Sequence, residues 1–287
     1  MAIRGVAFHV DDDIRLRISE LVGRIRDLRG QGVVDLDDKR TLQIEIGSAT
    51  IALSAGDLTL LLNRYVFGYE GSPLRDLVVT TQGGQIVQTG VMHKVIDIPF
   101  TMTATLAATD DGQIRIHSTS MRICGLDGSA LLQAVGAKLQ DLLDLSGATG
   151  VRVEGNDLIL DPLKILPPPS ITGRLTAVRV VGDEVVQVFG PTDAPGAESL
   201  PPPVAANRYV YFRGGTLKFG KLYMVQAELE AIDTDPADPF DFYLDYYSSQ
   251  LVAGYHVTLP NLGLVSYMPD FDDLGTPKGE VSLPMPR

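Results

Sequence analysis

The segment "GLDGSALLQAVGAKLQDLLDLSG" (125–147) constrains the fold most, because its apolar residues recur at helical spacing in a chain that otherwise mostly alternates. We predict a helix over residues 129–145, about 25 Å long at 1.5 Å per residue. One arc of about 120° on its surface carries large apolar side chains: Leu131, Leu132, Val135, Leu139, Leu142 and Leu143. The opposite side is polar, so one curved sheet is enough to cover this helix.

A second, shorter helix is predicted over residues 55–68, where Ser54 and Asp57 resemble a capping box. Its apolar residues form two stripes on roughly opposite sides. The main stripe contains Leu58, Leu61, Leu62 and Tyr65, and the second contains Leu60 and Phe67. Such a helix is either buried on two sides, or covers the core with one side and offers the other to a ligand or partner.

Alternating segments predict strands over most of the remaining chain. "LVVTT" and "QIVQTGV" flank "QGG", which is a hairpin signal. "IPFTMTATLAAT" places Phe100 and Met102 on the same face, and "DDGQ" turns the chain into "IRIHSTSMRI". Together these segments predict a meander of long antiparallel strands.

The composition changes at "PTDAPGAESLPPPVAAN", which is typical of a linker. We therefore predict a domain over 1–190, a Pro/Ala-rich linker over 191–207, and a small aromatic- and Asp-rich unit over 208–287 that packs on the first domain. The predicted fold class is α+β. In it, a long, strongly curved antiparallel sheet is wrapped around one long amphipathic helix plus a shorter helix, with a small β-rich C-terminal unit.

The charge and the cysteine content exclude several functions. Lys and Arg number 24 against 36 Asp and Glu, a net charge of −12 that argues against nucleic acid as a partner. The single cysteine, Cys124, excludes an intramolecular disulfide. No apolar run reaches the ~18 residues of a membrane span. The start lacks the apolar stretch of a signal peptide, so the protein is cytoplasmic if that start is native and periplasmic if a signal segment was removed.

Catalytic and metal-binding patterns are sparse. "GYEGSPL" and "GLDGSAL" lack the Gly-x-Ser-x-Gly spacing of a nucleophile elbow, and the histidines show no metal-ligand spacing. Oxygen ligands that calcium would accept occur together in one loop, at Asp233, Asp235, Asp238 and Asp241. Because their spacing is not that of an EF-hand, a solvated turn is the favoured interpretation of this loop. We predict a non-enzymatic protein without a catalytic site, metal site or cofactor.

The order of elements from residue 54 to 190 resembles that of the tubular lipid-binding (TULIP) superfamily, including its bacterial members. The resemblance is carried by "VQTGVMHKVIDIPFTMTATLAATDDGQIRIHSTSMRICGLDGSALLQAVGAKLQDLL" and "VRVEGNDLILDPLKILPPPSITGRLTAVRV". In that family a curved sheet surrounds a long helix, and the tube between them holds lipid. The resemblance implies binding of a lipid or other apolar ligand, as a carrier or sensor. The aromatic tail after Arg208 has no counterpart in the family.

The predicted ligand-binding residues are those facing the space between sheet and helices: Leu58, Leu60, Leu61, Leu62, Tyr65, Phe67, Phe100, Met102, Leu131, Leu132, Val135, Leu139, Leu142 and Leu143. The alternative is a structural or assembly protein with a filled core. It would contact a protein partner, or a second copy of the chain, through the 55–68 helix face. An enzyme with a site built from scattered residues, such as His117 or the aspartates, is a third reading.

Overall fold

The computed structural model describes residues 1–93, 96–128, 144–190, 201–235 and 237–274. The chain divides into two compact units. Unit 1 comprises Met1–Ala49 and Asp193–Arg287, and unit 2 comprises Thr50–Thr192. Sequence patterns had grouped residues 1–49 with the following segments, whereas here they share a unit with the C-terminal strands.

The described strands and helices are as follows, in chain order. The first part of the chain contains β1 (Ala2–His9), β2 (Arg15–Asp27), β3 (Val33–Asp35), a 3-10 turn (Lys39–Thr41) and β4 (Leu42–Ser54). The middle part contains α1 (Ala55–Leu61), a π-helical turn (Leu62–Val66), β5 (Leu74–Gln82), β6 (Gln85–His93), β7 (Asp97–Ala108), β8 (Ile114–Ile123), β9 (Leu126–Asp127), β10 (Val151–Glu154), β11 (Asp157–Leu160), β12 (Ser170–Thr172), β13 (Leu175–Val181) and β14 (Glu184–Phe189). The last part contains β15 (Tyr209–Arg213), β16 (Thr216–Phe219), β17 (Leu222–Val225), β18 (Glu228–Asp233), β19 (Phe240–Tyr243), a 3-10 turn (Leu244–Tyr246), α2 (Tyr247–Ala253), β20 (Tyr255–Thr258) and β21 (Leu264–Met268).

Unit 1 is organised around β1, whose apolar side chains Ile3, Val6 and Phe8 are buried. The main sheet runs in the order β4-β2-β1-β15-β18-β21-β20. β1 pairs antiparallel with β2 and β15, and its second half pairs in parallel with β19. A smaller sheet runs β17-β16-β3. Two distant stretches of sequence therefore build one sheet.

Unit 2 contains the predicted meander, in the order β5-β6-β7-β8-β11-β10. The "QGG" hairpin between β5 and β6 is confirmed, with Gly83 and Gly84 both at positive φ. On β7, Phe100, Met102 and Ala104 are buried on one face as the alternation predicts. The β13–β14 hairpin also belongs to this unit, as do the short strands β9, which pairs with β8, and β12.

Helix α1 begins at the predicted cap. The Oγ of Ser54 accepts a hydrogen bond from the Asp57 N–H at 3.0 Å. Two polar side chains then attach the helical segment to β5. The Asn63 side-chain amide donates to the Leu77 carbonyl at 2.7 Å and accepts from the Leu77 N–H at 3.0 Å, and Thr59 accepts from the Val79 N–H at 2.9 Å. These bonds fix which side of the helix faces the sheet.

The predicted fold class, an α+β protein with a curved sheet wrapped around one long amphipathic helix, is wrong. The described residues are mostly β, their two α-helices have 7 residues each, and the sheets are not closed. Alternation shows which face of a strand is buried but not which strand it pairs with, and here the strands divide among open sheets. The core of the predicted 129–145 helix, residues 129–143, lies outside the described residues. No described helix is long and apolar enough to cross a membrane.

Candidate functional site

The predicted apolar site falls within unit 2, and its described residues differ in burial. Leu61, Leu62, Phe67, Phe100 and Met102 are buried, Leu58 and Leu60 are half-buried, and Tyr65 is exposed. The other six predicted residues, Leu131, Leu132, Val135, Leu139, Leu142 and Leu143, lie outside the described residues. Because Phe67 is only 6% exposed, it forms part of the core of unit 2.

The described predicted residues border two separate small cavities. Leu58 and Leu61 line a cavity of about 40 Å³, whose one polar lining residue among those described is Gln187. Phe100 and Met102 line another of about 20 Å³. Ligand sites are typically about 300–1,000 Å³. Both cavities are therefore about an order of magnitude smaller than a typical ligand site.

An acidic cluster in unit 1 is a second candidate site, and the pairing of strands explains how it forms. β18 pairs in parallel with β21, with Asp233 opposite Met268. Parallel strands bring their carboxyl ends to the same edge of a sheet. The segment after β18 carries Asp235 and Asp238, and the segment after β21 carries Asp270. Carboxylates from two distant segments thus converge.

The cluster has two halves, and in each the potential ligand atoms all lie within 4.8 Å of one another. One half, the aspartate triad, consists of Asp235, Asp238 and Asp270. The other, the histidine half, consists of His9, Asp241 and Asp272. The two halves are joined by a hydrogen bond of 2.6 Å from the Asp241 N–H to Oδ1 of Asp270.

The histidine half already contains a positively charged partner, Arg15. The His9 ring is fully buried, with Nε2 2.6 Å from Oδ1 of Asp241 and Nδ1 3.2 Å from the Asp11 carbonyl. Both ring nitrogens therefore lie next to oxygen atoms of the chain. Arg15 pairs with Asp272 at 2.8 Å. This half is an ion-pair network that ties β1 to β19.

The aspartate triad has no such compensation, whereas its neighbour Asp233 feels the positive charge of Arg208. Among the described residues none of these four carboxylates forms an ion pair. Burial, reinforced by the neighbouring aspartates, raises the pKa of Asp270 to about 7, against the opposing hydrogen bond from the Asp241 N–H. Burial likewise raises the pKa of Asp233 to about 6. The Oδ2 atom of Asp233 is buried and has no hydrogen-bond partner.

The sequence reveals only part of this cluster. The run "DTDPADPFD" was visible as a source of oxygen ligands, and it contains Asp233, Asp235 and Asp238. Asp270 lies in a distant acidic stretch, "DFDDLG", and nothing local indicates that β18 and β21 are neighbours. The predicted fourth member, Asp241, instead belongs to the histidine half.

No protein-family model, curated protein or solved structure matches this chain. The resemblance to the tubular lipid-binding superfamily therefore rests on the quoted segments alone and remains a prediction.

Proposed function

We propose that unit 1 is a binding module for a hard divalent cation of the calcium type, in a non-enzymatic protein. The observation that carries this proposal is the convergence of the aspartate triad, whose three carboxylates form no ion pair among the described residues and whose Asp270 is buried. Asp270 is buried, Asp235 is half-buried and Asp238 is exposed. Burying a charge such as that of Asp270 is costly unless it is paired or coordinates a metal. A bound cation would supply the missing positive charge.

The spacing of the triad fits a shared ion. Calcium binds 6–8 oxygens at 2.3–2.6 Å, so two oxygens on the same ion lie no more than about 5.2 Å apart. Carboxylate oxygens of Asp235, Asp238 and Asp270 lie within 4.8 Å of one another, which satisfies this condition. The donor set is all carboxylate, which suits calcium better than zinc, whose usual ligands are histidine and cysteine. Carbonyl oxygens and water would complete the coordination.

The raised pKa values make the proposal quantitative. A cation competes with protons for Asp233 and Asp270, because a carboxylate must be deprotonated to bind it. Protons are therefore released on binding below about pH 7, where Asp270 is partly protonated. We expect the calcium affinity to fall as the pH is lowered through 7 and then 6.

The test is calorimetric titration of the full chain with CaCl₂ after removal of metal with EDTA. Asp270→Asn should weaken binding at least about tenfold, since it removes one of the charged ligands. The matched control is Asp272→Asn, which alters the histidine half and should leave the affinity within about twofold. An equal loss in both variants, or no calcium binding by the parent protein at pH 8, would refute the proposal.

Binding of an apolar ligand by unit 2 remains a second proposal. Its support is the apolar lining of the 40 Å³ cavity beside α1. That volume holds a few methylene groups at most, so a lipid would bind only if the cavity widened. Native mass spectrometry of the purified protein, before and after solvent extraction, tests this: a single mass with no fatty-acyl adduct would count against the ligand.

A further inference from the structure

We propose that unit 1 contains a separate binding site for a small organic oxyanion, in a cleft lined by arginines. The cleft has a volume of about 630 Å³, within the range of typical small-molecule sites. It is distinct from the acidic cluster, with which it shares no residue. The proposal therefore does not depend on cation binding.

Three chain segments form the cleft together with Met1. The segments are the end of β2 (residues 23–27), the loop leading into β3, and the turn from β15 to β16 (residues 212–217). β3 and β16 pair in parallel, with Val34 opposite Leu217. The walls are thus held by strand pairing, while the rim consists of turns.

The cleft collects positive charge in a chain whose net charge is −12. Arg24, Arg26 and Arg213 line it, against one acid, Asp27. Arg26 is paired with Glu45 at 2.9 Å. Asp27 is engaged within its own loop, where it accepts hydrogen bonds from the N–H groups of Arg29 and Gln31.

Arg24 and Arg213 form no ion pair among the described residues, although most other cations of unit 1 have acidic partners. Arg213 lies opposite Glu228 on β18 and helps to lower the pKa of that carboxyl, so its charge is partly balanced. A guanidinium presents a planar fork of N–H donors that matches the oxygens of a phosphate or carboxylate. Phosphates and carboxylates are bound by a guanidinium in the same way, so the ligand class is an oxyanion.

Glycines leave the backbone of the rim open to a ligand. Gly30, Gly32, Gly214 and Gly215 all line the cleft at positive φ. A Cβ added at any of them would meet no atom within 4 Å. Glycine permits close approach of a ligand to the backbone. Beside these polar walls, Ile25 and Val34 are half-buried and add apolar surface, which favours an oxyanion with an apolar portion over inorganic phosphate.

The experiment titrates the full-length protein, in EDTA, with phenyl phosphate, inorganic phosphate and uncharged benzyl alcohol. We expect saturable binding of phenyl phosphate, weaker binding of phosphate, and none of benzyl alcohol. Arg24→Gln and Arg213→Gln should each weaken phenyl phosphate binding about tenfold or more, because each removes a charge-assisted hydrogen bond. The matched control is Arg179→Gln on β13 of unit 2, an exposed arginine that does not line the cleft.

Circular dichroism of each variant establishes that it is folded, and glutamine retains much of the arginine stem. Absence of phenyl phosphate binding by the parent protein would overturn the proposal. Unchanged binding in both cleft variants, or equal weakening by Arg179→Gln, would do the same. Equal affinity for inorganic phosphate would overturn the assignment of an organic ligand.

Discussion

Glu230 provides a direct test of the electrostatics of unit 1. It lies on β18 with no exposed surface, outside both proposed sites. Its Oε2 accepts a hydrogen bond from the Val204 N–H at 3.0 Å, and its Oε1 is buried without a partner. Burial, reinforced by the negative charge of Glu228, raises the pKa of Glu230 from 4.5 to about 7 despite that hydrogen bond.

The size of the effect follows from this shift. The rise of about 2.5 pH units corresponds to about 3 kcal/mol at 1.36 kcal/mol per unit. The pKa of Glu230 is higher in the folded protein than in the unfolded chain. The stability that this shift contributes is therefore complete below pH 4.5 and is lost as the pH rises through 7. Glu230→Gln removes the ionisation. Relative to the parent protein, Glu230→Gln should therefore raise the free energy of unfolding more at pH 8 than at pH 5, by about 2.5 kcal/mol at most.

The assay is urea unfolding of both proteins at pH 5 and pH 8, with EDTA present so that cations do not contribute. The matched control is Glu20→Gln on β2, where the side chain is exposed. That substitution should change the free energy of unfolding by less than about 0.5 kcal/mol at either pH. If the effect of Glu230→Gln is the same at both pH values, the argument that a buried carboxylate destabilises unit 1 is wrong.

The remaining predictions concern packing. Phe67→Ala should destabilise unit 2 by about 3–5 kcal/mol, because the ring is 6% exposed, whereas Tyr65→Ala, at 37% exposure, should have a much smaller effect. Thermal and urea unfolding measure the difference, and comparable losses would contradict the assigned burial. Gly254→Ala should destabilise unit 1 by about 3 kcal/mol or prevent its folding, because an added Cβ would overlap the backbone carbonyl of Tyr267. Gly56→Ala in α1 meets only the Ser54 Oγ at 3.6 Å, and should be neutral or stabilising by up to about 1 kcal/mol. If Gly254→Ala is as stable as Gly56→Ala in a thermal melt, the close approach is wrong.

Local sequence patterns are enough to predict the strands of unit 2 and the start of α1. Alternation places Phe100 and Met102 on the buried face of β7, and "QGG" marks its neighbouring hairpin. The Ser54 cap is also local, because its partner Asp57 is three residues away. In each case the information lies within a few residues, where side-chain periodicity and turn chemistry decide the structure.

Long-range pairing could not be predicted in the same way. Ala2 pairs with Tyr211, and Leu229 pairs with Leu264, yet neither strand carries a signal that identifies its partner. The fold class failed for this reason, since helical and strand periods do not show whether a sheet closes. The acidic cluster was incomplete for the same reason, because Asp270 joins Asp235 only through the β18–β21 pair.

The division of the chain has a consequence for synthesis on the ribosome. Unit 2 is one continuous stretch, Thr50–Thr192, inserted between the two segments of unit 1. Domains generally fold as units while the chain emerges, the N-terminal part first. Here β1 can pair with β2 as soon as both have emerged, but its other edge must wait for β15 and β19. Unit 2 can therefore complete its meander while one edge of β1 is still unpaired, and a chain stopped at residue 192 would leave that edge without its partners.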